Sequence, residues 1–466
     1  MGYKRMDKSV IRWLAAVLLC VAAFDVQADS TALDSYVAKP DDNFTYFQYH
    51  TDEGAGYTAY FLRMISQQWR TSDEVNRMLW EHELIVYVPW WSYASNPHTA
   101  IFIVNGGENR DPPSQEGNEY AGWLAAVTGS VTAIVSQIPN QPLYFMDEAN
   151  RPRKEDEILA YGMDKYLRTG DPEWLPQLPM TKAVVRAMDT VQDFLNTLND
   201  SFSAPAVGAF ELPRIDDFIV LGGSKRGWAT WLSAAVESLN GDRSRIKAIL
   251  PASIDLLKMD HQFTHHWEAY GFYAPAIEDY VAFDLPCRAE TPAGRAMLAI
   301  IDPYAYRQRY TMPKFVLNSA GDQFFLPDSS QFYFADLLYP KLLRYTLNTD
   351  HTQSQDVERL ILAALSWLTD VRDGEQGPQF FWSLEPDGSI QVQTFTEPKR
   401  VRLWQATNPD VRDFRLARTG VDVNGATGSG RRPLYWSRGS PSAGLDSVHG
   451  GVDLPGAHRD SNPPGN

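Results

Sequence analysis

The 466-residue sequence holds only two cysteines, Cys20 and Cys287. Two thiols cannot staple a chain of this length, so the fold must rest on packing. Positive charge is also scarce: 42 Lys and Arg stand against 58 Asp and Glu, a formal net charge of −16. Such a balance repels phosphate backbones and anionic lipid, which sets aside nucleic acid and anionic membranes as partners. The longest unbroken apolar stretch, Trp13 to Phe24, falls short of the roughly 20 residues a bilayer core requires. Internal repeats are absent, as are HExxH and paired-cysteine metal patterns.

The short apolar stretch has another reading. It follows a basic start (Lys4, Arg5, Lys8, Arg12) and precedes Val26-Gln27-Ala28, a small-x-small cleavage pattern. Residues 1–28 therefore read as a cleaved signal peptide, which implies a secreted or periplasmic protein beginning near Asp29, with no stable membrane anchor. Loss of that leader takes the formal charge to −18 and leaves Cys287 as the one cysteine.

What is abundant points to a deep core: 44% of residues are hydrophobic and 12% aromatic, which excludes global disorder. Apolar runs with strand character recur at Leu84–Val88, Thr99–Val104, Val131–Val135, Phe218–Leu221, Ile246–Leu250, Phe315–Leu317 and Leu343–Thr346. Between them lie helical patterns, clearest over Thr181–Leu198, where apolar positions recur at spacings of three and four. Alternating strands and helices predict an α/β fold with a doubly wound, mostly parallel sheet over about residues 29–375. Residues 255–312, rich in Tyr, Phe, Trp and His, suit an inserted cap. Residues 376–418 read as a small β appendage around a Pro-Asp-Gly turn. In residues 419–466, Gly and Pro supply 15 of 48 positions without a period, which predicts a disordered tail.

One stretch, "FIVLGGSKRGWATWLSAA" (Phe218–Ala235), runs from apolar β-formers through two glycines and a serine into an amphipathic helix. Ser224 could cap that helix, or it could be a nucleophile on a strained strand-to-helix turn. A hydroxyl needs a base to take its proton and an acid to orient the base. In hydrolases of this layout the three arrive in the order Ser, acid, His, each just after a strand. Here Asp322 follows the run in "KFVLNSAG" and His351 follows "LLRYTLNTD". Asp328 and Asp350 are the rival acids. The oxyanion donors expected are the backbone N–H groups of Gly107, after the strand in "IFIVNGGENR", and Lys225. The side chains of Lys225 and Arg226 bring positive charge beside the serine, for an oxyanion or an acidic substrate, or to pair with a carboxylate; Arg226 is the candidate substrate-binding residue. His261, His265 and His266 could share a helical face, but no other metal-binding pattern accompanies them. No metal and no cofactor are expected.

Distinctive words of this sequence resemble the PhoPQ-activated pathogenicity-related protein family. They run in order from "YVAKPDDNFTY" (Tyr36–Tyr46) through "SQQWRTSDEVNRMLWEHELIVYVP" (Ser66–Pro89), "QIPNQPLYF", "LPMTKAVVRAMD", "GGSKRGWATWLSAAV" and "DPYAYRQRYTMPKFVLNSAGDQFFLPDSSQFYF" to "LRYTLNTDH" (Leu343–His351). The resemblance implies an α/β-hydrolase-like fold, an exported protein, and serine-hydrolase residues at Ser224, Asp322 and His351. It also implies strand-like sequence continuing beyond Leu416, where this chain turns Gly/Pro-rich. The G-x-S-basic-x-G elbow is similar to that of carbohydrate esterases acting on glucuronoyl esters.

The function expected is cleavage of an ester, in a small molecule or extracellular polymer, through an acyl-enzyme. The alternatives are a binding or signalling protein on a hydrolase fold, or an amidase or exopeptidase, for which Glu268, Glu278 or Asp279 in the cap would hold the substrate amine. The leader makes a direct prediction: the intact mass of the exported chain should correspond to a start at or within a few residues of Asp29, and a mass retaining Met1 would refute cleavage.

Overall fold

The computed structural model describes residues 30–92, 94–202, 212–375, 377–387, 389–408, 424–428 and 445–453. The expected leader lies outside them. After a short helix, α1 (Ala32–Ala38), come β1 (Thr45–Gly54), β2 (Tyr57–Gln68), β3 (Leu79–Pro89) and β4 (Thr99–Val104). Helix α2 (Glu119–Thr128) leads to β5 (Thr132–Val135), followed by α3 (Asp156–Thr169) and α4 (Gln177–Phe202). Next are β6 (Asp217–Gly223), α5 (Lys225–Glu237) and β7 (Ile246–Ala252). Helices α6 (Met259–Tyr270), α7 (Glu278–Val281), α8 (Leu285–Arg288) and α9 (Pro292–Ile301) then occur without an intervening strand. The layout closes with β8 (Lys314–Ser319), β9 (Lys341–Thr346) and α10 (Val357–Arg372).

Nine strands form one sheet in the order β1-β2-β3-β5-β4-β6-β7-β8-β9. The three pairings from β1 to β5 are antiparallel, and the five from β5 to β9 are parallel. Six of the seven apolar runs read from the sequence fall inside strands of this sheet, and the seventh, Val131–Val135, starts one residue before β5. Strands such as β4 and β8 are buried almost along their whole length, because helices cover both faces of a parallel sheet. One face carries α4 and α5, where Trp231 is fully buried against Tyr310. The other carries α2 over β3 and β5, and α10, whose Trp367 packs on Phe315. This is an α/β-hydrolase fold: a mostly parallel sheet, helices on both sides, and a sharp strand-to-helix turn at its centre.

The helices between residues 259 and 301 sit beside that turn and are bound to it. The Trp228 indole of α5 donates to the Ile301 carbonyl at 2.6 Å. Asp302, fully buried, accepts the N–H groups of Lys258, Met259 and Tyr304 at 2.8–3.2 Å, so the start of α6 is pinned to the end of α9.

Beyond α10, β10 (Phe380–Leu384) and β11 (Ile390–Thr394) make a hairpin, with Trp382 stacked on Phe334 and Phe381 against Tyr339. Strand β12 (Arg400–Asn408) pairs antiparallel with both β13 (Asn424–Gly428) and β14 (Leu445–Asp453). Strands β13 and β14 fall within residues 419–466, which the sequence reads as a disordered tail. Composition argued from a lack of apolar side chains, but a ladder is built from backbone N–H and C=O groups, which Gly-rich segments also supply. The rest of 419–466 lies outside the described residues.

The central crossing dictates its glycines. A Cβ on Gly222 would meet the Arg226 carbonyl oxygen at 2.4 Å, and one on Gly227 would meet Ile254 at 2.7 Å, so β6 and α5 touch backbone to backbone. Gly222→Ala should therefore cost about 1–3 kcal/mol through overpacking, read as a lower urea midpoint at unchanged m-value; an unaltered midpoint would show that the crossing has slack.

Candidate active site

Strand order reverses beside β4: the chain leaves it for β5 on one side and later returns to lay β6 on the other. In open α/β sheets, ligands bind at such a switch point, outside the carboxyl ends of the strands. The loops after β4, β6, β8 and β9 all end there.

At the tip of β6, Ser224 has φ 55° and ψ −128°, a conformation that L residues rarely adopt. Its backbone is clamped at both ends: its N–H donates to the Ala252 carbonyl at 2.8 Å, and its carbonyl accepts from Trp228 at 3.1 Å. Although it stands at the N-cap position of α5, its side chain makes no capping bond. The hydroxyl instead lies 2.9 Å from Nε2 of His351, and Nδ1 of that ring lies 2.8 Å from Oδ2 of Asp322. With Nδ1–H donating to the carboxylate, Nε2 is the acceptor for the serine O–H. The other carboxylate oxygen, Oδ1, accepts the N–H groups of Phe324 and Phe325 at 2.7 and 3.3 Å.

The rival acids are engaged elsewhere. Asp328 faces Nε2 of His265 at 2.9 Å, and Asp350 closes its own turn with Thr352 and Gln355. Thr352's hydrogen bond is the main reason the Asp350 carboxyl lies below its usual range.

Sequence reasoning missed the groups that fix the histidine. Ser253, at φ 48°, donates its hydroxyl to the His351 carbonyl at 2.8 Å and accepts from the Gln353 amide at 2.9 Å. Gln323 accepts the His351 N–H at 3.2 Å, and the Phe324 ring lies 4.4 Å from the imidazole. These are loop residues with no periodic signature; only their closeness in sequence to Ala252, Asp322 and His351 could have flagged them. Behind the site, Asp255 is gripped by the hydroxyls of Tyr333 and Tyr345, and burial pushes its carboxyl up to about 7 despite those donors.

Gly107, at φ 114°, turns the chain after β4 where only glycine is unstrained, and this loop is held by Gln137 and Ile138 donating to the carbonyls of Gly106 and Asn105. Among the described residues, neither the Gly107 nor the Lys225 N–H donates to another backbone group.

The basic side chains are not free charges. Arg226 makes two bonds to Glu155, at 2.7 and 2.5 Å, and Lys225 reaches Asp156 at 2.6 Å. Of the roles weighed from the sequence, pairing with carboxylates is the one the structure holds. The partners begin α3, some seventy residues earlier, so no local pattern could have disclosed them. Glu155 is further locked by Gln141, which donates to Oε1 at 2.7 Å and accepts the Glu155 N–H at 2.8 Å.

The cap histidines diverge. His261 faces Asp260 at the surface, His265 faces Asp328, and buried His266 accepts the Ala274 N–H at 3.0 Å. Burial lowers His266 to about 4. Among the described residues, no three His, Cys, Asp or Glu side chains gather as a metal cage, and no helix is long and apolar enough to cross a membrane.

Two cavities open at the site. A cleft of about 420 Å³ runs from Gly223 along Gly106, Gly107 and Arg226, and an apolar pocket of about 70 Å³ lies beside Ser224 under α6.

The chain matches the model of a family described as PhoPQ-activated pathogenicity-related protein over residues 33–415. It is 33% identical over 403 residues to autocrine proliferation repressor protein A of Dictyostelium discoideum, covering 83% of this chain and 76% of that protein. Among solved structures it is similar to an acetyl xylan esterase from Paenibacillus sp. R4 at 14% identity, covering 73% of this chain and 92% of that one with a TM-score of 0.47. It is likewise similar to a glucuronoyl esterase from Solibacter usitatus at 14% identity, covering 73% and 91% with a TM-score of 0.38.

The Arg226–Glu155 pair makes a pH prediction. Burial works to raise the Glu155 carboxyl, but the hydrogen bonds and charge of Arg226 outweigh it and hold Glu155 at about 2, below its ordinary 4.5. A depressed folded value means stability that is present above about 4.5 and is lost as pH falls towards about 2. The melting-temperature gap between the parent and Glu155→Gln should shrink across that window; a gap that is constant with pH would show that the charge contributes nothing.

Proposed function

The chain belongs to the PhoPQ-activated pathogenicity-related protein family, and we propose that it is an exported serine hydrolase that cleaves an ester. The observation that carries this reading is the unbroken line from the strained Ser224 through His351 to Asp322. His351 takes the hydroxyl proton as Ser224 Oγ bonds to the carbonyl carbon, and the carbonyl oxygen becomes an oxyanion facing the N–H groups of Gly107 and Lys225. Collapse breaks the C–O bond to the alcohol, which leaves with the proton held by His351. Water, deprotonated by the same imidazole, then releases the acid and restores the Ser224 hydroxyl. Asp322 fixes the tautomer and stabilises the imidazolium. Lys225 acts through its backbone N–H, and Glu155 and Asp156 take up the charge of the Lys225 and Arg226 side chains.

A nucleophile and a helix cap predict opposite results for one variant. Ser224→Ala should abolish fluorophosphonate labelling and lower turnover by about six decades, as in the subtilisin triad, while melting temperature holds or rises. A cap would instead lose about 0.5–2 kcal/mol of stability and leave activity in place. Asp322→Asn should slow acyl transfer about 10⁴-fold, by leaving the wrong histidine tautomer, with folding intact. Full labelling of Ser224→Ala would remove Ser224 as the nucleophile.

A further inference from the structure

The two cavities differ in the chemistry they would accept, and each abuts the elbow. The smaller is walled by Trp228, Ile254, Met259, Phe263, Ile277 and Phe324, with Ser224 on its edge. Several polar groups that reach this wall are engaged within the protein. Asp156 is bound by Lys225 and Tyr280, Gln262 donates to the carbonyls of Leu257 and Ser329, and His266 accepts from Ala274. The pocket therefore offers a surface that is mostly apolar. At roughly 70 Å³ it is far smaller than the neighbouring cleft of about 420 Å³, so it suits a short chain better than a long one.

The larger cleft is built from the opposite material: Asn105, Arg110, Ser136, Gln137, Glu155 and Arg226. Its cations are neutralised, Arg226 by Glu155 and Arg110 by two bonds to Glu83 at 2.8 and 2.9 Å. Hydrogen-bonding groups without a spare positive charge favour hydroxyls over a carboxylate or phosphate.

Position decides which half of an ester goes where. The acyl group stays bonded to Ser224 until water arrives, so it suits the more enclosed apolar pocket. The alcohol must depart first, and the cleft is the more open of the two. Resting on the serine-hydrolase reading above, we propose that the substrate is an ester joining a short apolar acid, such as acetic or butyric acid, to an uncharged alcohol rich in hydroxyl groups.

The test uses the full chain and p-nitrophenyl esters of acids with two, four, eight and twelve carbons, with fluorophosphonate labelling of Ser224 run on the same preparation. Each methylene that fails to fit a pocket costs about 10- to 200-fold in specificity. The acetate or butyrate should therefore exceed the octanoate at least ~100-fold in kcat/KM. Phe263→Ala and Ile277→Ala, two separate ways of enlarging the pocket, should each raise octanoate relative to butyrate by about tenfold or more. For the alcohol half, an O-acetyl methyl glycoside should be hydrolysed faster than octyl acetate. Rates that stay level or rise through octanoate overturn the short-acid assignment, and preference for octyl acetate overturns the alcohol assignment. Intact labelling with every ester inert rejects the ester class, whereas absent labelling removes the hydrolase reading on which the proposal rests.

Discussion

The backbone of Ser224 is the constraint from which the site follows. Left alone, a serine would relax from φ 55°, ψ −128° to an ordinary cap geometry and turn its hydroxyl towards the first turn of α5. It cannot, because the Ala252 carbonyl holds its N–H and the Trp228 N–H holds its carbonyl, while the contact of Gly222 with the Arg226 backbone fixes the approach of strand to helix. Core packing on both faces of the sheet supplies the free energy that keeps this strained turn in place. The hydroxyl is thereby held proud of the sheet, where loops from β8 and β9 deliver Asp322 and His351. Remove the close crossing and the three groups would still exist in the sequence but would not share a line.

A second layer of order comes from charge matched to charge. Lys225 and Arg226 would otherwise be two adjacent cations at the serine, raising the field on any anionic ligand. Glu155 and Asp156, at the start of α3, cancel them and anchor that helix to the elbow in the same act. The consequence is a site whose wall is polar but close to neutral, within a chain whose overall charge is strongly negative.

Legibility in the sequence followed the range of the interactions. The seven apolar runs map to strands of the sheet because strands buried on both faces, most of them parallel here, are written as continuous apolar segments. Strands β1 and β2 were not read: β1 is an edge strand that stays largely exposed and mixes polar with apolar residues, and in β2 Arg63, Ser66 and Gln67 break up the apolar residues; the Gly-Ala-Gly between them was the available signal. Ser224, Asp322 and His351 were legible because chain order and strand-end position are both one-dimensional properties, and the three are indeed hydrogen-bonded in series. Ser253, Gln323 and Gln353 were not, because nothing local distinguishes a loop amide that orients a histidine from one that faces water. The pairing of Arg226 with Glu155 depends on tertiary structure alone. Strands β13 and β14 escaped because a backbone ladder can form in segments whose side chains give no warning of it.

The bond from the Trp228 indole to the Ile301 carbonyl ties the covering helices to the very helix that begins at the serine. Both partners are buried, so lifting those helices as a hinged body would strand a polar group at a cost of about 1–3 kcal/mol, and the three N–H groups held by Asp302 would resist the same motion. Roof and floor of the apolar pocket are thus one rigid piece. A ligand at the elbow would therefore meet these helices as a fixed wall, with the cleft lined by Gly106, Gly107 and Gly223 lying open beside it.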